Sequence, residues 1–280
     1  MANRKYLISA AFFLVFCVAG CSPAQTTGDR TKPNADTAKG SVASFSIDDT
    51  RFKIKRPIWV YTPAGYAAKG GAEYNLIVSF DGQDYIKDIP EPVILDNLIA
   101  EHAIGPTVQV FVDNTADRLG DLANHQQFAD FIAGDLMPWI RQNYNVTHDP
   151  GRTVVLGYSA GGLAAAYVAF RRPEIFGNVL SQSGAFWRGN EGASSPAEWL
   201  TEQYLNAPKQ NIKFYLVVGG AETVKNSSGK SMVETSQHLR DVLKGKGYDL
   251  AFTIAPNGTH TPESWRTQVA DGLIYLIGKK

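Results

Sequence analysis

Apolar residues fall along the chain in two patterns, short unbroken runs and longer stretches with a helical repeat. The runs Tyr74–Phe80 (YNLIVSF) and Thr107–Val112 (TVQVFV) predict buried strands, and Ile94–His102 between them has helical spacing. Upstream, Arg51–Tyr61 predicts two extended segments or a hairpin, with Pro57 placing it near a sheet edge because proline cannot donate to a ladder. Phe128, Ile132, Leu136 and Ile140 recur every four residues and predict a helix over Phe128–Tyr144, with a kink at Pro138. Then come a strand from Thr153, a helix from Leu163, a strand at Val179-Leu180-Ser181 and a helix near Pro196–Leu205. The series ends with strand Ile212–Val218, helix Met232–Leu243, strand Leu250–Ile254 and helix Glu263–Ile277, which sets Trp265, Val269, Leu273 and Leu276 on one face. Strands alternating with helices predict a mostly parallel central sheet with helices on both faces, the α/β-hydrolase architecture.

The first residues follow a different pattern. Arg4 and Lys5 precede an apolar stretch, Tyr6–Val18, too short to cross a bilayer as a mature helix, and Val18-Ala19-Gly20-Cys21 closes it. Residues 1–20 therefore predict a lipoprotein signal peptide, with Cys21 as the lipidated new N-terminus. An ordinary cleaved signal peptide with an incidental cysteine is the other reading. Each buried acyl methylene contributes about 0.8 kcal/mol to membrane attachment, so several chains on one residue anchor stably. The two cysteines, Cys17 and Cys21, both lie here, so the mature domain is expected to fold without an internal disulfide. Residues 22–41 are rich in small and polar types with no apolar period. They predict a disordered tether, 21–41, about 25 Å end to end. The expected location is the bacterial cell envelope, and Ser22 after the cysteine points, by analogy with Gram-negative sorting, to the outer membrane.

What remains, 42–280, suits one α/β domain. Acidic and basic residues number 27 each, and without Arg4 and Lys5 the balance is 25 basic against 27 acidic. No basic excess suits a nucleic-acid partner. There is no H-E-x-x-H, no cysteine cluster and no glycine-rich phosphate loop, so neither a metal nor another cofactor is expected.

The candidate chemistry centres on Gly157-Tyr158-Ser159-Ala160-Gly161, between the β-branched run Thr153–Leu156 and the alanine-rich Leu163–Phe170. A G-x-S-x-G pentapeptide between strand and helix is the signature of a nucleophile elbow. Small residues two before and two after the serine let strand and helix pass. Its oxygen then stands clear, with the next N–H aimed at the same space. The alternative is a plain glycine-rich turn.

A nucleophilic serine needs a base, and the base an orienting carboxylate. In this architecture both follow the serine in sequence, acid before histidine. His102, His125 and His148 precede Ser159, and His238 falls inside a predicted helix, where a solvated position is expected. His260 follows the last strand, where the base belongs. Glu222 follows strand Ile212–Val218 and the turn Gly219-Gly220-Ala221, the carboxyl end of a strand, where sites in open α/β sheets form. For the oxyanion hole, the Ala160 N–H should pair with one from Asp81-Gly82-Gln83-Asp84-Tyr85, with Gln83 preferred, Gly82 possible and a simple β-turn the alternative.

Several ordered blocks carry a more specific signal: Trp59–Tyr66, Phe80–Gln83, Ile94–Leu98, Phe111–Asn114, Gly157–Gly162, Phe176–Trp187, Gly258–His260 and Ser264–Arg266. Together, from about residue 50 to 275, the chain resembles the enterochelin (enterobactin) esterase branch of the esterase D family. The resemblance implies an α/β-hydrolase cleaving carboxylic esters of a small-molecule substrate, with Ser159, Glu222 and His260 on the family's triad positions. Siderophore esters lead as substrates. Feruloyl or acyl esters on polysaccharides, acyl transfer, and a non-catalytic binding lipoprotein are the alternatives. The family's usual glutamate is Asp121 here, a usual asparagine is His125, and Arg188 follows Trp187 where many relatives have a second tryptophan. These departures are expected near the site. A ferric tris-catecholate is a trianion that demands convergent cations, and Arg118 and Arg188 are the candidates, with Trp187 as a pocket wall.

Overall fold

The structure, a computed structural model, describes residues 29–123, 125–190 and 196–279. The expectations for the signal peptide 1–20 and for Cys21 lie outside the described residues. Strands β1 (Ser41–Asp49), β2 (Ile54–Thr62), β3 (Asn75–Phe80), β4 (Thr107–Val112), β5 (Thr153–Tyr158), β6 (Asn178–Gln182), β7 (Lys213–Gly219) and β8 (Asp249–Ala255) form one sheet. Its order is β1-β2-β4-β3-β5-β6-β7-β8, with β1 and β2 an antiparallel hairpin, β2 antiparallel to β4, and all pairs from β4 to β8 parallel.

The helices are α1 (Gly82–Lys87), α2 (Glu91–Ala100), α3 (Arg118–Ala123), α4 (His125–Phe131), α5 (Met137–Asn143), α6 (Ala160–Arg171), α7 (Trp199–Asn206), α8 (Met232–Gly245) and α9 (Pro262–Ile277). Helices α1, α2 and α9 cover one face of the sheet, and the series packed around α6, including α4, α7 and α8, covers the other. The central strands are apolar on both sides because both sides are covered. On β5, Val154 and Leu156 join the layer under α2 and α9, while Val155 joins the layer under α6. This is the expected α/β-hydrolase arrangement.

Chain direction across the sheet reverses at β3. The connection from β3 leads to β4 on one side, while β5 lies on the other, so the carboxyl ends of β3 and β5 flank a topological switch point. Open α/β sheets bind ligands in that crevice. The Asp81 loop and the Ser159 elbow both emerge there.

Three local expectations shift. The first arm of the hairpin lies upstream of Arg51, as β1, exposed over most of its length and thus without the alternation that marks a half-buried strand. Strand β2, with Pro57, lies one strand in from the edge. The end of the predicted tether is attached to α2: Asn97 Nδ2 donates to the carbonyls of Arg30 and Lys32 at 2.9 Å each, and the Gly40 N–H donates to Asp96 Oδ1 at 2.8 Å. The expected Phe128–Tyr144 helix is α4 and α5 joined through a π-turn at Ile132–Leu136, immediately ahead of Pro138, which has no N–H to continue the ladder.

Candidate active site

The elbow is assembled from close contacts that leave no room for side chains. A Cβ on Gly157 would stand 2.5 Å from the Gly161 carbonyl carbon, one on Gly161 would stand 2.6 Å from Asp81 Oδ2, and one on Gly162 would stand 2.5 Å from Ser181 Oγ. Strand β5 and helix α6 therefore meet at backbone distance. Ser159 between them has φ 53° and ψ −122°, a strained conformation for a residue with a side chain. Hydrogen bonds hold it there. Its N–H donates to the Gln182 carbonyl at 2.9 Å, and its carbonyl accepts from Leu163 N and Ala185 N at 3.1 and 2.9 Å.

The acid and base loops are joined by a second pair of glycines. The Gly220 N–H donates to the Ala255 carbonyl at 2.8 Å and the Ala221 N–H to the Gly258 carbonyl at 2.9 Å. A Cβ on Gly219 would collide with the Gly258 carbonyl, so only glycine permits this approach. Glu222 then folds back, its Oε1 accepting from Gly219 N at 2.9 Å. Its Oε2 lies 2.7 Å from His260 Nδ1. The Glu222 side chain is 4% exposed and that of His260 42%, so the carboxylate is enclosed while the imidazole faces the opening.

Sequence reasoning did not single out Ser183 or Trp265. Ser183 directly follows β6 in the left-handed region, φ 47°, and its hydroxyl donates to Glu222 Oε1. Trp265 Nε1 donates to Ser183 Oγ at 3.0 Å, and the indole meets the His260 ring edge-on at 4.9 Å between centroids. The relay Trp265–Ser183–Glu222–His260 fixes the imidazole by packing and hydrogen bonding together. Both residues fall inside the similarity blocks quoted above, which was the available signal.

A cavity of about 400 Å³ brings together Ser159, Ala160, Glu222, His260, Trp187 and Arg188. The remaining predicted residues lie elsewhere. Gln83 does not line this cavity. It is the second residue of α1, a position whose N–H has no acceptor within the helix, and its side chain is exposed, accepting from Lys87 Nζ at 2.9 Å. Arg118 was expected at the substrate but is held by the buried carboxylate of Asp81 instead, through two hydrogen bonds, with its guanidinium 5.2 Å from the Tyr158 ring centre. Burial opposes the Arg118 charge, but the hydrogen bonds and Coulombic attraction of Asp81 outweigh it and raise its pKa. Asp121, expected near the site, is buried and paired with Arg56, 3.1 Å away. Of His125 the structure describes only the helical backbone.

His238 lies within α8 and is partly exposed, as expected, but it is not without a partner. Its Nδ1 lies 2.6 Å from Glu198 Oε2. This second histidine–glutamate pair does not line the Ser159 cavity.

The chain matches the family described as putative esterase over residues 50–276. It is 31% identical over 215 residues to the iron(III) salmochelin esterase of Escherichia coli O6:H1, covering 73% of this chain and 51% of that protein. It is 27% identical over 231 residues to the iron(III) enterobactin esterase of Escherichia coli K12, covering 81% of this chain and 54% of that one. The chain thus spans about half the length of these relatives. The enterobactin esterase of Shigella flexneri, crystallised in the presence of enterobactin, superposes with a TM-score of 0.74 at 25% identity, over 87% of this chain and 60% of that one.

Proposed function

This chain belongs to the esterase family and has the α/β-hydrolase fold, and we propose that it is a serine carboxylic-ester hydrolase working through an acyl-enzyme. The observation that carries the proposal is the cavity that joins the strained Ser159 to the His260–Glu222 pair. His260 removes the Ser159 proton as the oxygen attacks the ester carbonyl, and Glu222 holds the Nδ1 side of the ring and stabilises the imidazolium. The Ala160 N–H, at the start of α6, binds the developing oxyanion, joined by a donor from the first turn of α1, Gly82 or Gln83. His260 then protonates the leaving alcohol and activates the water that frees the acid. The substrate is a small-molecule carboxylic ester, the broad class that includes the siderophore esters for which the relatives are named.

The deciding experiment is hydrolysis of 4-nitrophenyl esters together with fluorophosphonate labelling. Ser159→Ala is expected to fold as the wild type, to lose labelling and to lose most hydrolysis, leaving about 10³–10⁴ over water from the oxyanion donors and binding. Labelling that persists in this variant moves the nucleophile elsewhere.

The domain works at the bacterial cell envelope, tethered through a lipidated Cys21 and directed to the outer membrane, a reading supported by the apolar Tyr6–Val18 stretch ending at Gly20-Cys21. Cys21→Ala is expected to leave unprocessed or misrouted protein and Cys17→Ala to have little effect. Wild-type protein without acyl modification refutes the anchor.

A further inference from the structure

The charges around the cavity are almost entirely cancelled. Three cations adjoin its lining residues in sequence, and each is bound to a carboxylate. Arg118, next to Leu119, is held by Asp81. Lys225, next to Val224, lies 2.5 Å from Glu234. Lys230, two residues before Met232, is paired with Glu198. Arg188 differs. It lines the cavity itself, no carboxylate among the described residues pairs with it, and its guanidinium lies 5.1 Å from the ring centre of Trp187. The undescribed residues 191–195 contain one acid, Glu191, and neither Lys nor Arg.

Apart from Thr259, the rest of the described wall is apolar: Leu119, Ala185, Trp187, Ala221, Val224 and Met232. Val224 is 83% exposed and Leu119 47%, so the apolar surface continues to the cavity mouth. Glu222, the one carboxylate among the described lining residues, is turned onto His260.

We infer that this cavity selects an ester with an apolar body and a single negative charge, and that Arg188 determines that specificity; the inference rests on the ester-hydrolase reading above. Among the described residues, a neutral apolar ester leaves the guanidinium without an anion. One anionic group matches it, with charge-assisted hydrogen bonds from a planar donor fork already held over the Trp187 ring. A trianionic iron complex brings two further charges against an apolar wall with no cation to meet them, and removing charge from water without a partner is strongly unfavourable.

The test uses the full chain and two esters of equal length, 4-nitrophenyl heptanoate and mono-4-nitrophenyl pimelate, which differ in a terminal methyl against a carboxylate. Dissociation constants are measured on Ser159→Ala by calorimetry, and kcat/KM on the protein with Ser159 intact. The pimelate ester is expected to be favoured about tenfold in both, equivalent to about 1.4 kcal/mol. The preference should shrink as salt rises from about 0.05 to 0.5 M, because ions screen the partly exposed pair. Arg188→Met, which keeps most of the stem and removes the charge, should bring the ratio close to one, while Arg188→Lys should retain part of it. A preference that survives Arg188→Met overturns the inference, as does tighter binding of an iron tris-catecholate than of the pimelate ester. Selective binding without hydrolysis by the wild type would sink the esterase reading alone, and hydrolysis without selectivity would sink this one alone.

Discussion

Glu91 makes stability depend on pH in a way that can be calculated from its surroundings. Its carboxyl opens α2 and is fully buried against the sheet, where Ser79 Oγ donates to Oε2 over a long 3.4 Å, while Oε1 has no hydrogen-bond partner. Burial, offset only in part by the nearby Gln109 amide and the Ser79 hydroxyl, raises its pKa from the usual 4.5 to about 8. Between those values the folded protein holds a proton that the unfolded chain has released. Stability is therefore fully present below about pH 4.5, falls as pH rises, and levels off above about 8. Each pH unit in that window costs about 1.4 kcal/mol, so the whole window amounts to about 5 kcal/mol at most. That is a large share of the roughly 5–15 kcal/mol that holds a domain together. Glu91→Gln keeps the shape and cannot ionise. Urea titrations at pH 5, 7 and 9 should show the wild-type midpoint falling steeply relative to the variant, with the variant the more stable at pH 9. Parallel pH profiles for the two proteins refute the reasoning. The effect also bears on the site, since Ser79 lies two residues before Asp81, where the proposed oxyanion segment begins.

Glu222→Gln should lower kcat and kcat/KM together at similar KM, and should add little once His260 is already Ala; full additivity in that double-mutant cycle would mean another group orients the histidine. Ser183→Ala removes a donor to Glu222 and leaves Trp265 Nε1 buried without an acceptor, so it should cost about 1–3 kcal/mol in denaturant unfolding and lower kcat more than it changes KM. Arg56→Met strands the buried carboxylates of Asp49 and Asp121 and should destabilise the fold by about 3–5 kcal/mol in the same assay, against less than about 1 kcal/mol for loss of an exposed pair such as Lys55–Asp48.

The sequence reveals most where one physical demand acts alone. Strands β3, β4 and β5 are covered on both faces, so their apolar runs are unambiguous, and the Gly157–Gly161 spacing follows from a backbone approach that nothing larger permits. The short helix α1 was hidden because its opening, Asp81-Gly82, is equally good as a turn. What makes it a helix start is Asp81 in the left-handed region, φ 56°, with its carboxylate bound by Arg118 and Asn114. That contact spans more than thirty residues of sequence. Arg118 was misplaced for the same reason, since a charge near the site in sequence reveals nothing of the carboxylate that neutralises it. Strand β1 escaped because an exposed edge strand has no buried face to impose alternation.

The two histidine–glutamate pairs show why geometry at the pair is not sufficient to single out the proposed site. His260–Glu222 and His238–Glu198 are almost equally close, at 2.7 and 2.6 Å, and their histidine side chains are similarly exposed, at 42 and 41%. They differ in what surrounds them. Glu198 also binds Lys230, so its charge is balanced by a permanent cation whether or not His238 is protonated. Among the described residues Glu222 has no such cation. Its other oxygen accepts only neutral donors, Ser183 Oγ and Gly219 N, so its negative charge remains available to an imidazolium forming on His260. Stabilising a charge that appears only in the transition state is what accelerates a reaction. His238 sits in the middle of α8, where its carboxylate ties α8 to the start of α7, whereas His260 sits on a loop at the carboxyl end of β8, across the cavity opening from the strained serine. In the proposed mechanism the pair at Glu222 thus serves the proton transfer, while the pair at Glu198 joins two helices.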